Sequence, residues 1–241
     1  MCFPPTASSP SISESIDLMQ NRRYDGVIFD FDGTLVDTGE GILKSLQFAF
    51  EDHGRPIPTA EDLKKFIGPP IYYSFTTFYN VSEEEVGDYI KSYRKRYKEK
   101  GIYECKLYDG MEQTLRALKK GGVKLGIASS KPLHLIYDVM RVVGIGDLFD
   151  AVVGTQLDDS RHEGKADLVN ESREKLGISD KTRVLMVGDR CFDIDGAAGA
   201  GVDSAGMLYG YGSRAEFEAH GATFVLSEAT ELLSLVFPQT P

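Results

Sequence analysis

Cysteine is scarce in this chain: only Cys2, Cys105 and Cys191 occur in 241 residues, and no two of them form a CxxC pair. So few, so scattered, they build neither a disulfide framework nor a cysteine zinc site. A reducing, cytoplasmic setting is expected. Long apolar runs are missing too. No stretch reaches the roughly eighteen residues that a membrane-spanning helix needs, so no membrane partner is expected. Positive charge is in deficit, with 27 Lys and Arg against 37 Asp and Glu for a net charge of −10. Nucleic-acid backbones reward clustered Lys and Arg, so this balance argues against a nucleic-acid partner. A small anionic substrate is still compatible, provided its pocket is locally basic or holds a metal. The first twenty residues lack the basic start and apolar middle of a secretion signal. Their Pro and Ser content predicts a flexible tail over 1–21, with a short helix at 12–19.

What is present is ample apolar material, 41% of residues, enough for one domain or for one domain carrying an insertion. Short apolar runs at 27–29, 123–128, 151–153, 184–187, 202–208 and 223–226 read as buried strands. Between most of them lie amphipathic stretches at 111–120, 133–143, 165–176 and 191–200, several closed by glycine at 121, 144 and 177. Strands alternating with helices predict an α/β fold: a Rossmann-like parallel sheet with helices on both faces. The alternation breaks between 38 and 107. There the pattern predicts helices at 40–53, 60–67 and 82–100 and no strand, with Ser82 and Glu85 forming a capping box. An inserted helical cap domain over 38–107 is therefore expected, inside a core domain of 22–37 and 108–241.

Four segments carry candidate chemistry. Asp30 closes the first apolar strand, where open parallel sheets place their active sites. Asp32, two residues on, leaves the chain in the same direction, so both carboxylates can face one pocket. Gly33 permits a tight turn and close approach of backbone N–H groups to an anion. An acidic turn or a calcium loop would give the same spacing. Asp189 ends the 184–187 run, and Asp193 follows four residues later across a helix start; both can reach one hard cation, and Asp189 can equally be a helix cap. Ser129 and Ser130 follow the 123–128 run, with Lys131 next and Pro132 opening a helix, which suits either a phosphate seat or simple capping. Lys165 opens another helix, where the dipole disfavours a cation, so it is aimed at something negative or is solvated.

In this order the segments FDFDGTLVDT (29–38), Ser129, HEGKADLV (162–169) and GDRCFDIDGAAGAG (188–201) resemble the four motifs of the haloacid dehalogenase superfamily of phosphatases. The resemblance runs from Tyr24 to the C-terminus and is closer to the phosphoglycolate phosphatase-like branch. The helical insertion, the 66–70 stretch as a substrate-facing cap loop, and the Gly210–Ser213 turn all match that branch.

The resemblance implies a phosphatase in which Asp30 is the nucleophile and forms an aspartyl phosphate. Asp32 would be the general acid and base. Lys165, Ser129, Ser130, Gly33 and Thr34 would seat the phosphoryl group. Magnesium would be held by the Asp30 carboxylate, the Asp32 backbone carbonyl and Asp189, with Asp193 ligating directly or through water. Asp37 would brace the turn, and hinges would lie near 37–39 and 107–110. The implied partner is a small phosphorylated metabolite, 2-phosphoglycolate or similar, turned over by a monomer or homodimer. A 5′-nucleotidase, a sugar-phosphate mutase and a non-catalytic phosphometabolite-binding module are the alternatives. Dehalogenase members lack the second Asp and ion-pumping ATPases place Lys where Phe31 stands, so Asp32 and Phe31 argue against both.

Three further features have plainer readings. Arg161 reads first as a surface loop arginine, with a reach to the substrate as the alternative. The basic 91–100 run, with Tyr93 and Tyr97 four apart, reads as a partly packed helix with solvated lysines. Cys191 reads as an inert thiol.

Overall fold

A computed structural model describes residues 22–67, 69, 71–155 and 164–238. The expected tail and its helix at 12–19, Cys2, Gly68, Pro70 and Arg161 lie outside these residues. The eight described strands are β1 (Gly26–Phe29), β2 (Val36–Asp37), β3 (Lys106–Leu107), β4 (Lys124–Pro132), β5 (Ala151–Thr155), β6 (Val184–Gly188), β7 (Asp203–Met207) and β8 (Phe224–Leu226). Six of them form one parallel sheet in the order β5-β4-β1-β6-β7-β8. The chain therefore winds outward from β1 in one direction, through β4 and β5, then returns to build β6, β7 and β8 on the other side. Strand order reverses at β1, and the crevice at its C-terminal end is where such a sheet binds ligands.

All of β1 is buried, which explains its unbroken apolar run. Its side chains alternate between the two faces. Val27 and Phe29 join one apolar cluster with Leu125, Ile127, Leu185 and Val187. Ile28 joins the other with Val153, Leu168, Val169 and Met186. The first cluster runs on without a break into the helical insertion, where it takes in Leu46, Phe50, Phe75 and Tyr89.

That insertion holds α1 (Gly39–Asp52), α2 (Ala60–Lys64), α3 (Ile71–Tyr79) and α4 (Val86–Glu99). The remaining helices are α5 (Met111–Lys120), α6 (Leu133–Val143), α7 (Lys165–Lys175), α8 (Cys191–Ala200), α9 (Arg214–Ala219) and α10 (Glu231–Val236). Four details differ from the sequence pattern. α2 stops at Lys64, because Lys65, Phe66 and Ile67 take tighter three-residue hydrogen bonds to Asp62, Leu63 and Lys64. α3 was not anticipated: its aromatic and β-branched residues have modest helix propensity, and the helix forms because Phe75 packs on Phe50, Phe66 and Tyr89. α4 begins at Val86. Ser82 and Glu85 are bonded, but not as a capping box: the Glu85 N–H donates to the Ser82 hydroxyl at 3.3 Å and that hydroxyl donates to the Glu85 carboxylate at 3.0 Å, around the turn that precedes the helix. Finally, β2 and β3 pair antiparallel, Val36 with Leu107 and Asp37 with Lys106, where the chain leaves and re-enters the sheet region. Two-residue strands are too short to show in a periodicity.

Candidate active site

The end of β1 sets the site. The Asp30 N–H donates to the Val187 carbonyl at 2.8 Å, continuing the ladder to β6 and fixing the carboxylate at the sheet's edge. The chain then folds back: the Leu35 and Val36 N–H groups both donate to the Phe31 carbonyl, and the Gly33 N–H donates to Val36. Gly33 sits at φ +88°, and a Cβ there would run into the Asp189 carboxylate. Only glycine serves at that position.

Asp189 follows β6 and is buried. Its Oδ1 accepts from the Thr34 hydroxyl at 2.9 Å and its Oδ2 from the Tyr211 N–H at 2.8 Å. Asp193, in the first turn of α8, accepts the Asp189 and Arg190 N–H groups at 3.0 Å each through Oδ2. Asp193, the third residue of this helix, rather than Asp189, reaches back to the N–H of Arg190, which precedes its first turn. Its Oδ1 faces Lys165 Nζ at 2.8 Å, and the same ammonium lies 2.6 Å from Asp30 Oδ1. Lys165 therefore opens α7 pointing at negative charge, as its unfavourable place in the helix dipole suggested.

Asp30, Asp189 and Asp193 bring one carboxylate oxygen each to within 4.8 Å of one another, and all three are buried. Burial, with Asp193 nearby, pushes the Asp30 carboxyl up to about 6 although Lys165 opposes the shift. Burial, Asp193 and Asp30 together hold Asp189 well above the usual carboxylate range. Lys165 would be lowered by burial, but Asp193 and Asp30 outweigh it and raise it. Hard oxygen donors in this number suit a divalent cation such as magnesium. Fully ionised, Asp30, Asp189 and Asp193 would carry three negative charges against the one ammonium of Lys165, an excess that a divalent ion would balance.

Asp32 is set apart from the cluster. Its Oδ1 accepts from the Thr38 hydroxyl at 2.6 Å, and Lys131 Nζ lies 3.0 Å from both of its oxygens. Ser129 is buried at the same end of β4 and accepts the Lys131 N–H at 3.3 Å, while the Ser130 carbonyl accepts from the Thr155 hydroxyl. The Asp37 carboxylate accepts the Gly39 N–H at 3.3 Å, bracing the turn.

The motifs did not single out Lys131, Thr38, Tyr97 or Arg190. Lys131 was visible as a lysine at the end of an apolar strand, a position that seldom tolerates an unpaired charge. Tyr97 lay in the basic run and is indeed packed: it is buried, stacked on Tyr93 and bonded to Lys131 at 2.9 Å, with the lysines around it exposed. Arg190 binds Glu216 at 3.2 Å and the Ile67 carbonyl of the insertion at 3.1 Å. The Cys191 thiol is pushed up to about 11 by burial and by Glu216, which agrees with an inert thiol.

Residues 27–207 match the model of the haloacid dehalogenase-like hydrolase family. A Pseudomonas aeruginosa protein named 5′-nucleotidase is 35% identical over 210 residues, covering 87% of this chain and 94% of that protein. Pyrophosphatase PpaX of Bacillus velezensis is 31% identical, covering 90% of this chain and 98% of its own. Among solved structures, a Clostridium acetobutylicum protein described as a predicted phosphatase superposes with a TM-score of 0.82 at 36% identity, covering 88% of this chain and 97% of the other.

Proposed function

This chain belongs to the haloacid dehalogenase-like hydrolases, and we propose that it is a magnesium-dependent phosphomonoester hydrolase that works through a phosphorylated Asp30. In support, similar proteins are named 5′-nucleotidase, pyrophosphatase and predicted phosphatase, although mycobacterial relatives 34% identical are named tyrosine-protein kinase PtkA. The observation that carries the finer reading is the buried group of Asp30, Asp189, Asp193 and Lys165 with a second carboxylate, Asp32, two residues from the first.

Asp30 attacks phosphorus; a carboxylate–phosphorus bond forms as the bond to the substrate alcohol breaks. Lys165, beside Asp30, helps hold the charge spreading over the phosphoryl oxygens, with Ser129, Ser130 and the backbone at Gly33 and Thr34 completing the seat. Asp32 gives its proton to the departing alkoxide. In the second half it takes a proton from water, which attacks phosphorus, frees inorganic phosphate and restores Asp30. Asp30, Asp189 and Asp193, with the Asp32 backbone carbonyl, would hold the magnesium ion. When bound, that ion supplies charge neutralisation between carboxylates and phosphate.

The substrate is a small phosphorylated metabolite, and a phosphoglycolate-like monoester is the first candidate. A 5′-nucleotide is the second reading, favoured by the name of the 35% identical relative. A cytoplasmic location belongs to the same proposal, supported by the free thiols of Cys105 and Cys191.

The test is phosphate release from 2-phosphoglycolate, 5′-nucleotides and hexose phosphates, with magnesium, with chelator and with Asp30→Asn. Release that needs both magnesium and Asp30 supports the mechanism, and the fastest substrate decides among the readings. Unchanged activity in Asp30→Asn sinks it.

A further inference from the structure

We propose that Lys131 and Tyr97 form a positioning pair through which the helical cap holds the Asp32 carboxyl in its working orientation, so that protonation of the leaving group depends on the cap being docked on the sheet. This deepens the hydrolase reading above and rests on it.

Lys131 stands near the end of β4, beside the β1 end that carries Asp32, and its side chain is 5% exposed. An ammonium has three protons to donate. Three acceptors surround this one: Asp32 Oδ1 and Oδ2 at 3.0 Å each and the Tyr97 hydroxyl at 2.9 Å. With Asp32 ionised, none is left over for a phosphoryl oxygen, which separates Lys131 from Lys165. When Asp32 carries the proton it is to donate, one carboxyl oxygen becomes the donor and Lys131 holds the other. A lysine buried in this way needs every partner it has, because an unmatched donor in a dry site is costly.

Tyr97 comes from the other layer. It lies on α4 of the cap, fully buried, with its ring stacked on Tyr93 at 5.6 Å. The Lys131 ammonium also sits 4.6 Å from the centre of that ring, so both the hydroxyl and the π face attract it. The remaining partner of Asp32, the Thr38 hydroxyl, belongs to the residue immediately before α1, at the chain's entry to the cap. Asp32 is thus held from two sides by contacts that originate in or lead through the insertion. Undocking the cap would withdraw Tyr97, free one Lys131 donor and release the carboxylate to swing.

A group that orients the acid should matter most when the leaving group needs a proton. The experiment measures kcat/KM, which reports the first phosphoryl transfer, for an alkyl phosphate and for p-nitrophenyl phosphate, whose leaving group departs nearly unaided. Wild type, Tyr97→Phe, Lys131→Met and Asp32→Asn are compared, all with magnesium. Because each variant is read as a ratio of two substrates, a partly unfolded sample does not distort the result. General acid catalysis contributes about 10²–10⁴-fold, so Asp32→Asn should lower the alkyl-to-aryl ratio by roughly 100-fold or more. Lys131→Met should approach that value, and Tyr97→Phe should lower the ratio about 10-fold. Equal losses on both substrates, or none, in the Lys131 and Tyr97 variants would overturn the pair while leaving the hydrolase reading in place. No selectivity in Asp32→Asn, or no phosphate release by the wild type, would overturn the reading and the pair together.

Discussion

Arg190 donates from Nη1 to the Ile67 carbonyl at 3.1 Å, joining the residue beside Asp189 to the loop at the head of α3. The guanidinium is held for this by Glu216, whose carboxylate also accepts the Cys191 N–H at 2.8 Å. One side chain therefore ties the turn at Asp189 to the helical insertion. A hydrogen bond from a charged donor is worth about 1.5–3 kcal/mol net, and partial exposure brings this one toward about 1 kcal/mol. Arg190→Ala should loosen the cap loop and raise KM about fivefold, with a smaller change in kcat. Glu216→Gln should do the same more weakly. Steady-state kinetics on the best substrate checks both.

The acid cluster predicts how magnesium and pH act on stability. Without the ion, Asp30 is raised from 3.8 to about 6, chiefly by burial, so its ionisation opposes folding. For a carboxyl shifted in this direction, the stabilising contribution is complete below the unfolded value and is lost as pH rises through the folded one. In chelator, the melting temperature should therefore fall between about pH 4 and pH 6 as this group titrates. Adding magnesium at neutral pH should reverse the loss, by about 2.7 kcal/mol at a hundredfold excess over Kd. Asp189→Asn should melt higher than wild type in chelator and respond less to magnesium. Differential scanning calorimetry at several pH values tests all three statements.

Much of this arrangement is legible in the sequence alone. Asp30, Asp189 and Lys165 stand at the ends of apolar runs or the start of a helix, and parallel α/β sheets gather such ends at one edge. The helices at 111–120, 133–143 and 191–200 have the extents that their periodicity gave. What the pattern hid depends on the third dimension. Lys131 and Asp32 are 99 positions apart, and no local period records that they meet. Tyr97 looked like part of a basic face because its neighbours are exposed lysines; only the seam between cap and sheet explains why it is buried. Helix α3 runs against the weak propensity of its aromatic residues and is held by packing.

Gly33 offers a sharp test of how closely the first turn fits Asp189. At φ +88° an alanine pays for its backbone conformation, and its Cβ would also press on the Asp189 carboxylate. Gly54, at φ +65° with nothing within 4 Å of a Cβ, bears the first cost alone. Gly54→Ala should lose about 1 kcal/mol and keep full activity. Gly33→Ala should lose more, roughly 2–3 kcal/mol, and should also weaken magnesium binding. Chemical denaturation and isothermal titration calorimetry, run on both variants, separate strain from clash.

A helical insertion that swings as a cap should turn about the β2–β3 ribbon. Two residue pairs are all that close it, Val36 with Leu107 and Asp37 with Lys106, backed by a hydrogen bond from the Tyr108 N–H to Leu35 at 3.3 Å. A ribbon this short is not independently stable and persists through its attachments. The strands it leads to are different: β1 is buried and paired on both sides. Hydrogen exchange should therefore find the amides at 36–39 and 106–110 opening far more readily than those of β1 in the free protein. Adding magnesium with inorganic phosphate should slow exchange at both crossings together, because closing the cap shields them as one unit. Protection at these crossings equal to that of β1 in the free protein would rule out a hinge there. A change at one crossing without the other would mean that the cap deforms within its helices instead of turning about the ribbon.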